Sequence, residues 1–305
     1  MNDRGESVPR WVLYLKALRA FSFPVAALPV LIACLAVGRI DALQWDLVVV
    51  LAVTAVLFNA WGNLLNDVFD YRSGVDHLEQ DEPDRPGRYL VSGRLLPREL
   101  FIMALVAAGL LVPAAVYVGW RTADWGFVPY GLAGLIGAYA YTGPPLQTKY
   151  RALGELTVFV LFGPLLMAAV GRVLVGHIVP EVLVLSIPVG MMTAGILAGN
   201  NVRDYDEDAD SNITTLARLL GKRAALVLYV ALVVGAPTVL LGLAFTRWGA
   251  PLFALAPLGL IIPAGAIRRM ITGRRVADID ARTAMFETVI LGLMVVALAL
   301  HGPVT

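Results

Sequence analysis

Long apolar stretches recur along almost the whole chain and constrain its fold more than any other feature. A helix needs about 20 residues to cross about 30 Å of hydrocarbon. Charged residues make up only 15% of the 305 residues, against about 25% in a soluble domain. We therefore expect an all-α integral membrane protein, a bundle of nine transmembrane helices near residues 11–37, 45–66, 99–119, 127–144, 155–175, 181–203, 223–245, 249–267 and 285–301.

The basic residues predict how this bundle is oriented. Cytoplasmic loops carry an excess of Lys and Arg. If the N-terminus is cytoplasmic, that side collects all but four of the 24 Lys and Arg residues, the exceptions being Arg39, Arg121, Arg172 and Arg247. The first ten residues hold no apolar segment with a cleavage site, so we expect no removable signal peptide. The prediction is a multi-pass protein of the cell (inner) membrane, with its N-terminus cytoplasmic and its C-terminus on the opposite side.

Two Asp-rich segments follow the second and sixth predicted helices, and we expect both to form cytoplasmic loops. They are NLLNDVFDYRSGVD (63–76) and NNVRDYDEDAD (200–210). Each precedes a segment with Arg-Leu-Leu and a further basic residue, SGRLLPREL (92–100) and LARLLGKRA (216–224). The parallel indicates an internal pseudo-repeat within one domain, 1–305, whose two acidic ends face a common cavity.

The spacing inside these segments is typical of oxygen ligands for a cation. Asn66 and Asp70 are four residues apart and share a helix face. Asn200, Asp204 and Asp208 repeat that spacing if their helix continues. Carboxylate and amide oxygens suit Mg²⁺, which also binds substrate phosphates. We therefore predict Mg²⁺ as the cofactor, with these five residues as its ligands.

Further acidic residues of the two segments are candidates for catalysis. Asn63 and Asp67 form a similar pair one face over, and Asp76 can reach back through the turn at Gly74. Most acidic runs are solvated, and we favour that interpretation for Glu79, Asp81, Glu82 and Asp84 in their Pro-containing linker. Ionisable residues near helix ends inside a bundle usually mark function, which makes the catalytic candidates Asp67, Asp70, Asp76, Asp204 and Asp208.

Basic and aromatic residues complete the candidate site. The segment YAYTGPPLQTKYRALGE (139–155) puts Lys149 and Arg151 on the predicted cytoplasmic side. Cations and basic groups together fit a diphosphate, and the aromatic rings of Tyr139 and Tyr141 offer π faces that can contact a cation. The alternative that Lys149 and Arg151 are only positive-inside anchors stays open. The candidate substrate-binding residues are Asn63, Arg72, Tyr139, Tyr141, Lys149, Arg151 and Arg203.

The segments NDVFDYRSGVD, YTGPPLQTKYRALGELTVFVLFGPLL and NNVRDYDEDAD resemble the UbiA superfamily of intramembrane prenyltransferases. The resemblance implies a nine-helix bundle in which two Asp-rich motifs bind Mg²⁺ and the diphosphate of a polyprenyl donor. The motifs look most like the 1,4-dihydroxy-2-naphthoate polyprenyltransferases of menaquinone biosynthesis. The implied reaction transfers a polyprenyl group to this aromatic acceptor within the lipid bilayer and gives a membrane quinone precursor, with no nucleic-acid partner.

Alternatives remain at two levels. The gap from Asp70 to Asp76 argues against 4-hydroxybenzoate as acceptor, yet the Arg-Pro pair in DRPGRYLVSG (84–93) is more familiar from other branches, so another acceptor stays open. From other classes, a cation transporter also has carboxylates at a repeat interface, but it has no use for Lys149 and Arg151. A non-enzymatic scaffold leaves the Asn-Asp spacing unexplained.

Overall fold

The computed structural model describes residues 9–38, 43–74, 88–206, 208 and 214–304. This part of the chain is almost entirely helical, as the apolar stretches predict. The helices are α1 (Arg10–Ala17), α2 (Phe23–Val37), α3 (Trp45–Ser73), α4 (Arg88–Val91), α5 (Pro97–Thr122), α6 (Val128–Thr142), α7 (Gly154–Val160), α8 (Leu166–Val175), α9 (Pro180–Arg203), α10 (Leu216–Leu220), α11 (Lys222–Leu243), α12 (Ile261–Ile271) and α13 (Ile279–His301).

Eight helical segments of the described chain are long and apolar enough to cross a membrane. Three of these segments combine an α-helix with a 3₁₀ or π-helical stretch, namely Ala20–Val37, Gly154–Val175 and Pro251–Ile271. The predicted helix near 127–144 forms as α6, but its 15 residues extend only about 22 Å at 1.5 Å per residue. The all-helical membrane architecture is confirmed, whereas a ninth membrane span stays a prediction.

The first predicted helix, 11–37, is wrong as one continuous element. It breaks after α1 at Arg19, whose φ of 51° is in the left-handed region, where non-glycine residues are uncommon. A 3₁₀ turn over Ala20–Ser22 then leads into α2. Pro24 lies in the first turn of α2, where a backbone N–H has no partner within the helix, so the N–H that proline lacks is not missed. The break turns the Arg19 side chain towards α3.

Between α7 and α8 lies a π-helical turn, Leu161–Leu165, which contains Pro164. Proline lacks the N–H that the helical ladder uses, and the turn accommodates it. At this turn Gly163 packs so closely on α9 that a Cβ there would lie 2.7 Å from the carbonyl oxygen of Ser186. The close approach fixes α7 and α8 against α9, the helix that leads into the second Asp-rich segment.

Each Asp-rich segment is anchored in its own part of the core. The larger buried cluster joins α2, α9, α11 and α13, and it includes Tyr229, Phe253 and Phe286. A second cluster packs α1 and the last turns of α3 against the start of α5, around Leu64 and Tyr89. Both segments therefore leave the core from well-packed helix ends.

The two segments differ in local structure, which corrects the expectation of two loops. The first segment is helical through Ser73, and its helix is capped by Gly74, whose φ of 72° is the left-handed conformation that glycine favours. In the second segment only the first four residues are helical, because α9 ends at Arg203 and Asp204 is its C-cap. The predicted helical stacking of Asn200, Asp204 and Asp208 is therefore wrong beyond Asp204.

Candidate active site

The end of α3 holds a buried cluster around Asp70, which is only 6% exposed. The Lys149 amine donates to Asp70 Oδ2 at 2.6 Å and to Asn66 Oδ1 at 3.2 Å. The Asn66 amide donates to Asp70 Oδ2 at 2.9 Å, and the Tyr150 hydroxyl to Asp70 Oδ1 at 2.5 Å. The predicted Asn66–Asp70 pairing is thus present, and Lys149 is the counter-ion of the pair.

Burial and charge set the protonation of the two donors on Asp70. Burial would lower the pKa of the Lys149 amine, but Asp70, Tyr141 and Tyr150 together outweigh burial and raise that pKa above its ordinary value. Burial, and then the negative charge of Asp70, also raise the pKa of the Tyr150 hydroxyl. Lys149 therefore remains a cation and Tyr150 a neutral hydrogen-bond donor near pH 7.

One turn away, Asp67 belongs to a separate network with Arg19. The Arg19 guanidinium donates to Asp67 Oδ1 at 3.2 Å and to Asn63 Oδ1 at 3.1 Å. The Tyr89 hydroxyl donates to Asp67 Oδ2, and Asn63 donates to Asn59 at 3.4 Å. Asp67 is 1% exposed, so this network fixes α3 against the break after α1.

A short loop connects the surroundings of Asp70 with the second Asp-rich segment. The basic loop, residues 148–152, carries Lys149 and Tyr150. Its backbone pairs with Thr214, because Ala152 N donates to Thr214 O at 2.8 Å and Thr214 N donates to Tyr150 O at 3.1 Å. The same loop thus contacts Asp70 through side chains and the residues after the second segment through its backbone.

In the second segment, Asp204 is paired with its neighbour Arg203. The guanidinium donates to the two carboxylate oxygens of Asp204 at 2.8 and 3.0 Å, and it also lies 3.3 Å from Asp280 of α13. Asp208 follows in a turn in which its N–H donates to Asp204 O at 2.8 Å. Thr215, the N-cap of α10, donates to Asp208 at 3.4 Å.

The other predicted substrate-binding residues are distributed around these two centres. Tyr139 contacts Phe69 edge to face, with ring centroids 5.7 Å apart, and Tyr141 packs against Gly154 at the start of α7. Arg72 and Arg151 are exposed. Asp76 and the acidic linker residues Glu79, Asp81, Glu82 and Asp84 lie outside the described residues.

The oxygen atoms of the two segments fit a hard divalent cation. Within the described ranges, no three His, Cys, Asp or Glu side chains converge as a ready-made metal site. The Asn200 Oδ1 atom is nevertheless buried without a hydrogen-bond partner in the described part of the chain, although a buried polar atom normally has one. A carboxylate and amide donor set with such an oxygen matches Mg²⁺ rather than a soft metal.

A mostly apolar cavity of about 100 Å³ lies between α3, α6 and the π-helical turn. Phe58, Gly131, Gly134 and Phe162 line it, and Asn59 is its connection to the Asn63 network. Asn59 lies about 16 Å along α3 from Asp70, at 1.5 Å per residue. The cavity therefore offers apolar volume inside the bundle, at a distance from the charged centres.

Comparison with known proteins identifies the family of this chain. Residues 26–299 match the UbiA prenyltransferase family. The chain is a member of the UbiA prenyltransferase family. It is therefore an enzyme, a prenyltransferase, and the predicted superfamily is confirmed over most of the chain.

Similar proteins come from animals and archaea. UbiA prenyltransferase domain-containing protein 1 of Danio rerio is 32% identical over 288 residues, covering 93% of this chain and 82% of that protein. The protein of the same name in Homo sapiens is 33% identical over 221 residues, 71% of this chain and 63% of that protein. Neither name specifies 1,4-dihydroxy-2-naphthoate, so the menaquinone branch stays a prediction.

Solved structures share the fold of this UbiA-family prenyltransferase. A UbiA homolog from Archaeoglobus fulgidus bound to GPP and Mg²⁺ superposes with a TM-score of 0.65 at 17% identity, over 94% of this chain and 99% of that one. The apo UbiA homolog from Aeropyrum pernix K1 gives 0.65 at 18% identity, over 95% and 98%. At these identities the likeness establishes the fold.

Several residues of the candidate site were missed by sequence reasoning. Arg19, Tyr89 and Tyr150 contact the predicted acidic residues directly, and Glu155 accepts a hydrogen bond from Asn201. Arg19 carried one signal, since an Arg in a predicted membrane helix needs an acidic partner. For Tyr89 and Tyr150 no such signal exists, because a Tyr near a membrane surface is ordinarily interpreted as an interfacial anchor.

Proposed function

We propose that this enzyme transfers a polyprenyl group from a polyprenyl diphosphate to 1,4-dihydroxy-2-naphthoate in a Mg²⁺-dependent reaction, giving a membrane quinone precursor. The observation that carries the proposal is the position of Lys149. Its amine contacts Asn66 and Asp70 of the first segment, and its loop pairs with Thr214 after the second. A cation between two oxygen-rich segments suits a ligand with negative charge, such as a diphosphate.

The cation-binding residues we assign are Asn66, Asp70, Asn200, Asp204 and Asp208. A bound Mg²⁺ would neutralise charge on the leaving diphosphate. The Archaeoglobus homolog is bound to GPP and Mg²⁺, which supports Mg²⁺ as the cation and a prenyl diphosphate as the donor.

In the reaction, the bond between the allylic carbon and the diphosphate oxygen breaks, and the electron pair leaves with the diphosphate. Lys149 and Arg203 supply fixed positive charge to the departing oxygens, and Arg72 and Arg151 add charge at the exposed rim. Tyr150 holds Asp70 in one orientation through its hydrogen bond. The two Asp-rich segments thus bind the leaving group while the hydrocarbon stays below them.

The allylic cation requires a site without water, because water would capture it as the alcohol. The cavity lined by Phe58, Gly131 and Phe162 supplies apolar volume for part of the isoprenoid chain. Tyr139 and Tyr141 offer ring faces that stabilise the cation. The buried network of Arg19, Asn63 and Asp67 is the polar surface we assign to the acceptor.

The acceptor ring then attacks the cation at the carbon that carries its carboxylate. The bond from this carbon to the carboxylate breaks, carbon dioxide leaves, and the electron pair of that bond restores the aromatic ring. Asp67, Asp76 and the second-segment acids are the proposed catalytic carboxylates. The motif resemblance supports 1,4-dihydroxy-2-naphthoate as the acceptor. We assign the whole chain to one catalytic domain with an internal pseudo-repeat, because each Asp-rich segment lies at the end of a long membrane helix.

The proposed membrane orientation has the Asp-rich segments and the N-terminus in the cytoplasm. The one cysteine of the sequence, Cys34, is buried, so single introduced cysteines report accessibility cleanly. A cysteine at exposed Asp206 should react with an impermeant maleimide only from the cytoplasmic side, and one at exposed His177 only from the other. The opposite labelling pattern would reverse the assigned orientation.

A reconstituted assay tests the reaction. Purified enzyme in nanodiscs is given Mg²⁺, labelled geranylgeranyl diphosphate, and either 1,4-dihydroxy-2-naphthoate or 4-hydroxybenzoate. We expect prenylated product with the naphthoate and none after EDTA treatment. Product with 4-hydroxybenzoate alone would reject the proposed acceptor, and release of diphosphate without any prenylated product would reject both acceptors.

Variants of two nearby carboxylates link this activity to the site. Asp204→Asn removes the negative charge of a proposed ligand, whereas Asp206→Asn changes a neighbour whose side chain is 77% exposed and pairs with Lys222. We expect Asp204→Asn to abolish product formation and Asp206→Asn to retain it. Equal activities of the two variants would show that Asp204 is not a ligand.

A further inference from the structure

Arg203, the last residue of α9, has acidic partners on two sides. The edge of its guanidinium formed by Nε and Nη2 donates to the Asp204 carboxylate at 2.8 and 3.0 Å. The Nη1 atom contacts the start of α13, where it donates to the Ala277 carbonyl oxygen at 3.0 Å and lies 3.3 Å from Asp280 Oδ1. The Arg203 side chain is only 5% exposed. One buried guanidinium therefore joins the second Asp-rich segment to the last helix.

The start of α13, which carries Asp280, is closely packed. Ile279 is fully buried, and a Cβ on Gly199 of α9 would lie 3.2 Å from the Ile279 side chain. The Thr283 hydroxyl donates to the Ile279 carbonyl oxygen at 2.7 Å and lies 3.1 Å from the Tyr229 hydroxyl of α11. Asp280 therefore projects from a rigid element, as a group that positions another side chain must.

An acidic residue in the first turn of a helix has an ordinary explanation, which covers only part of what Asp280 does. Acidic side chains are favourable there because they face the positive end of the helix dipole, and Asp280 accepts from the Ala281 N–H at 2.9 Å. Asp278, at the N-cap of α13, is placed for the same effect and pairs with Arg282 of its own helix at 2.8 Å. Of the two acids, Asp280 is the one that pairs with α9.

The contact with Asp280 matters when Asp204 takes up its proposed cation. The edge of Arg203 that faces Asp204 then loses its acceptor, and a buried charge without a partner is strongly destabilising. Asp280 stays in place as a counter-ion on the other side of the guanidinium. The freed edge fits a diphosphate, because an arginine fork binds phosphate oxygens in the same bidentate way as a carboxylate.

We propose that Asp280 is a positioning residue of this site, which holds Arg203 through Nη1 while the opposite edge passes from Asp204 to the diphosphate. The inference rests on the proposed function, which assigns Asp204 to the cation and Arg203 to the leaving diphosphate. Asp280 contacts neither ligand and acts through Arg203. Because Arg203 keeps one anion throughout, Asp280 favours binding of the cation before the diphosphate arrives.

Binding is measured directly, with Mn²⁺ as the probe. Free Mn²⁺ is followed by electron paramagnetic resonance as it is titrated into the full-length enzyme in nanodiscs, with and without inorganic pyrophosphate; protein-free samples give the amount of manganese pyrophosphate in solution. Asp280→Asn removes the charge of a side chain that is 23% exposed, keeps its shape, and can still accept from Ala281. We expect it to weaken Mn²⁺ binding about fivefold without pyrophosphate, the lower end of typical couplings between two sites, and clearly less with it.

Asp278→Asn is the matched control. It removes one negative charge two residues away, from a side chain that is 55% exposed and paired with Arg282. We expect this variant to bind Mn²⁺ like the wild type under both conditions. In an Arg203→Gln background, Asp280→Asn should no longer change the ratio of the two Mn²⁺ affinities, because Asp280 acts through Arg203. A ratio that still changes in that background would overturn the inference.

The outcomes separate this inference from the function on which it rests. If Asp204→Asn weakens Mn²⁺ binding and Asp280→Asn behaves like Asp278→Asn, the positioning role is rejected and the proposed function stands. If Asp280→Asn weakens Mn²⁺ binding equally with and without pyrophosphate, Asp280 acts only as a nearby negative charge, and the inference is again rejected. If Asp204→Asn leaves Mn²⁺ binding unchanged, the proposed cation site fails and the inference fails with it.

Discussion

Replacing Lys149 by Met is the most informative single perturbation of this site. The pair it breaks is buried on both sides, since the Lys149 side chain is 16% exposed and that of Asp70 is 8% exposed, with the two charged atoms 2.6 Å apart. Methionine keeps the apolar stem of the side chain and removes its charge. Asp70 is then left buried with only the neutral donors Asn66 and Tyr150.

The cost of Lys149→Met follows from that geometry. Removing one partner of a buried ion pair destabilises a protein by about 3–5 kcal/mol, because the remaining charge is uncompensated. The two neutral hydrogen bonds retained by Asp70 place the expected loss at the lower end, about 3 kcal/mol. In the double variant Asp70→Asn/Lys149→Met the orphaned charge is absent, so we expect most of that stability to return.

The assay is reversible unfolding in mixed micelles, followed by tryptophan fluorescence, for the two single variants and the double variant. Arg151→Met is the control, because Arg151 is a basic residue of the same loop whose side chain is exposed. Mg²⁺ should stabilise Lys149→Met more than the wild type, since a divalent cation replaces the missing charge. The single and double variants form a double-mutant cycle that measures the coupling between Lys149 and Asp70. If Lys149→Met unfolds like Arg151→Met and this coupling is absent, Lys149 is only a membrane anchor.

Three further predictions concern binding, chain length and the metal. Tyr150→Phe removes a hydrogen bond to a carboxylate, worth about 1.5–3 kcal/mol, and should lower kcat/KM about 10–100-fold while leaving protein yield unchanged; wild-type kinetics would exclude a role for the hydroxyl. Gly131→Phe should shift the donor preference towards shorter prenyl diphosphates, because a Cβ at Gly131 meets no atom within 4 Å and the phenyl ring can fill the cavity. An unchanged preference between geranyl and geranylgeranyl diphosphate would mean that the isoprenoid chain lies elsewhere. Removing divalent cations with EDTA should abolish turnover, and Mg²⁺ or Mn²⁺ should restore it; activity that persists in EDTA would contradict metal dependence.

The membrane fold could be read from the sequence because hydrophobic length is a local property. Each span is decided by about 20 consecutive residues, and the described chain has helices at the predicted places. The exceptions depend on tertiary contacts. At the break, the Arg19 guanidinium pairs with Asp67, 48 residues away, and no local pattern contains that pairing.

The site was predictable in its acids and less so in their partners. The four-residue spacing of Asn66 and Asp70 predicts one helix face, and their hydrogen bond lies there. The same spacing at Asn200 and Asp204 failed to predict the helix end at Arg203. At this helix C-terminus Arg203 pairs with Asp204 and Asp280, and Asp280 is far away in the sequence.

The pairing of each principal acid with an internal cation has a consequence for how substrate enters. Asp70 is neutralised by Lys149 and Asp204 by Arg203, so neither of these two carboxylates is uncompensated inside the bundle, where it would be strongly destabilising. A divalent cation that arrives alone must displace these basic groups, whereas one that arrives with a diphosphate gives them a new anion to contact. Under the proposed function, the same two basic residues would stabilise the enzyme before the donor binds and hold the leaving group afterwards. We therefore expect the metal and diphosphate affinities to be coupled through them, and by linkage each ligand would then raise the affinity for the other by the same factor.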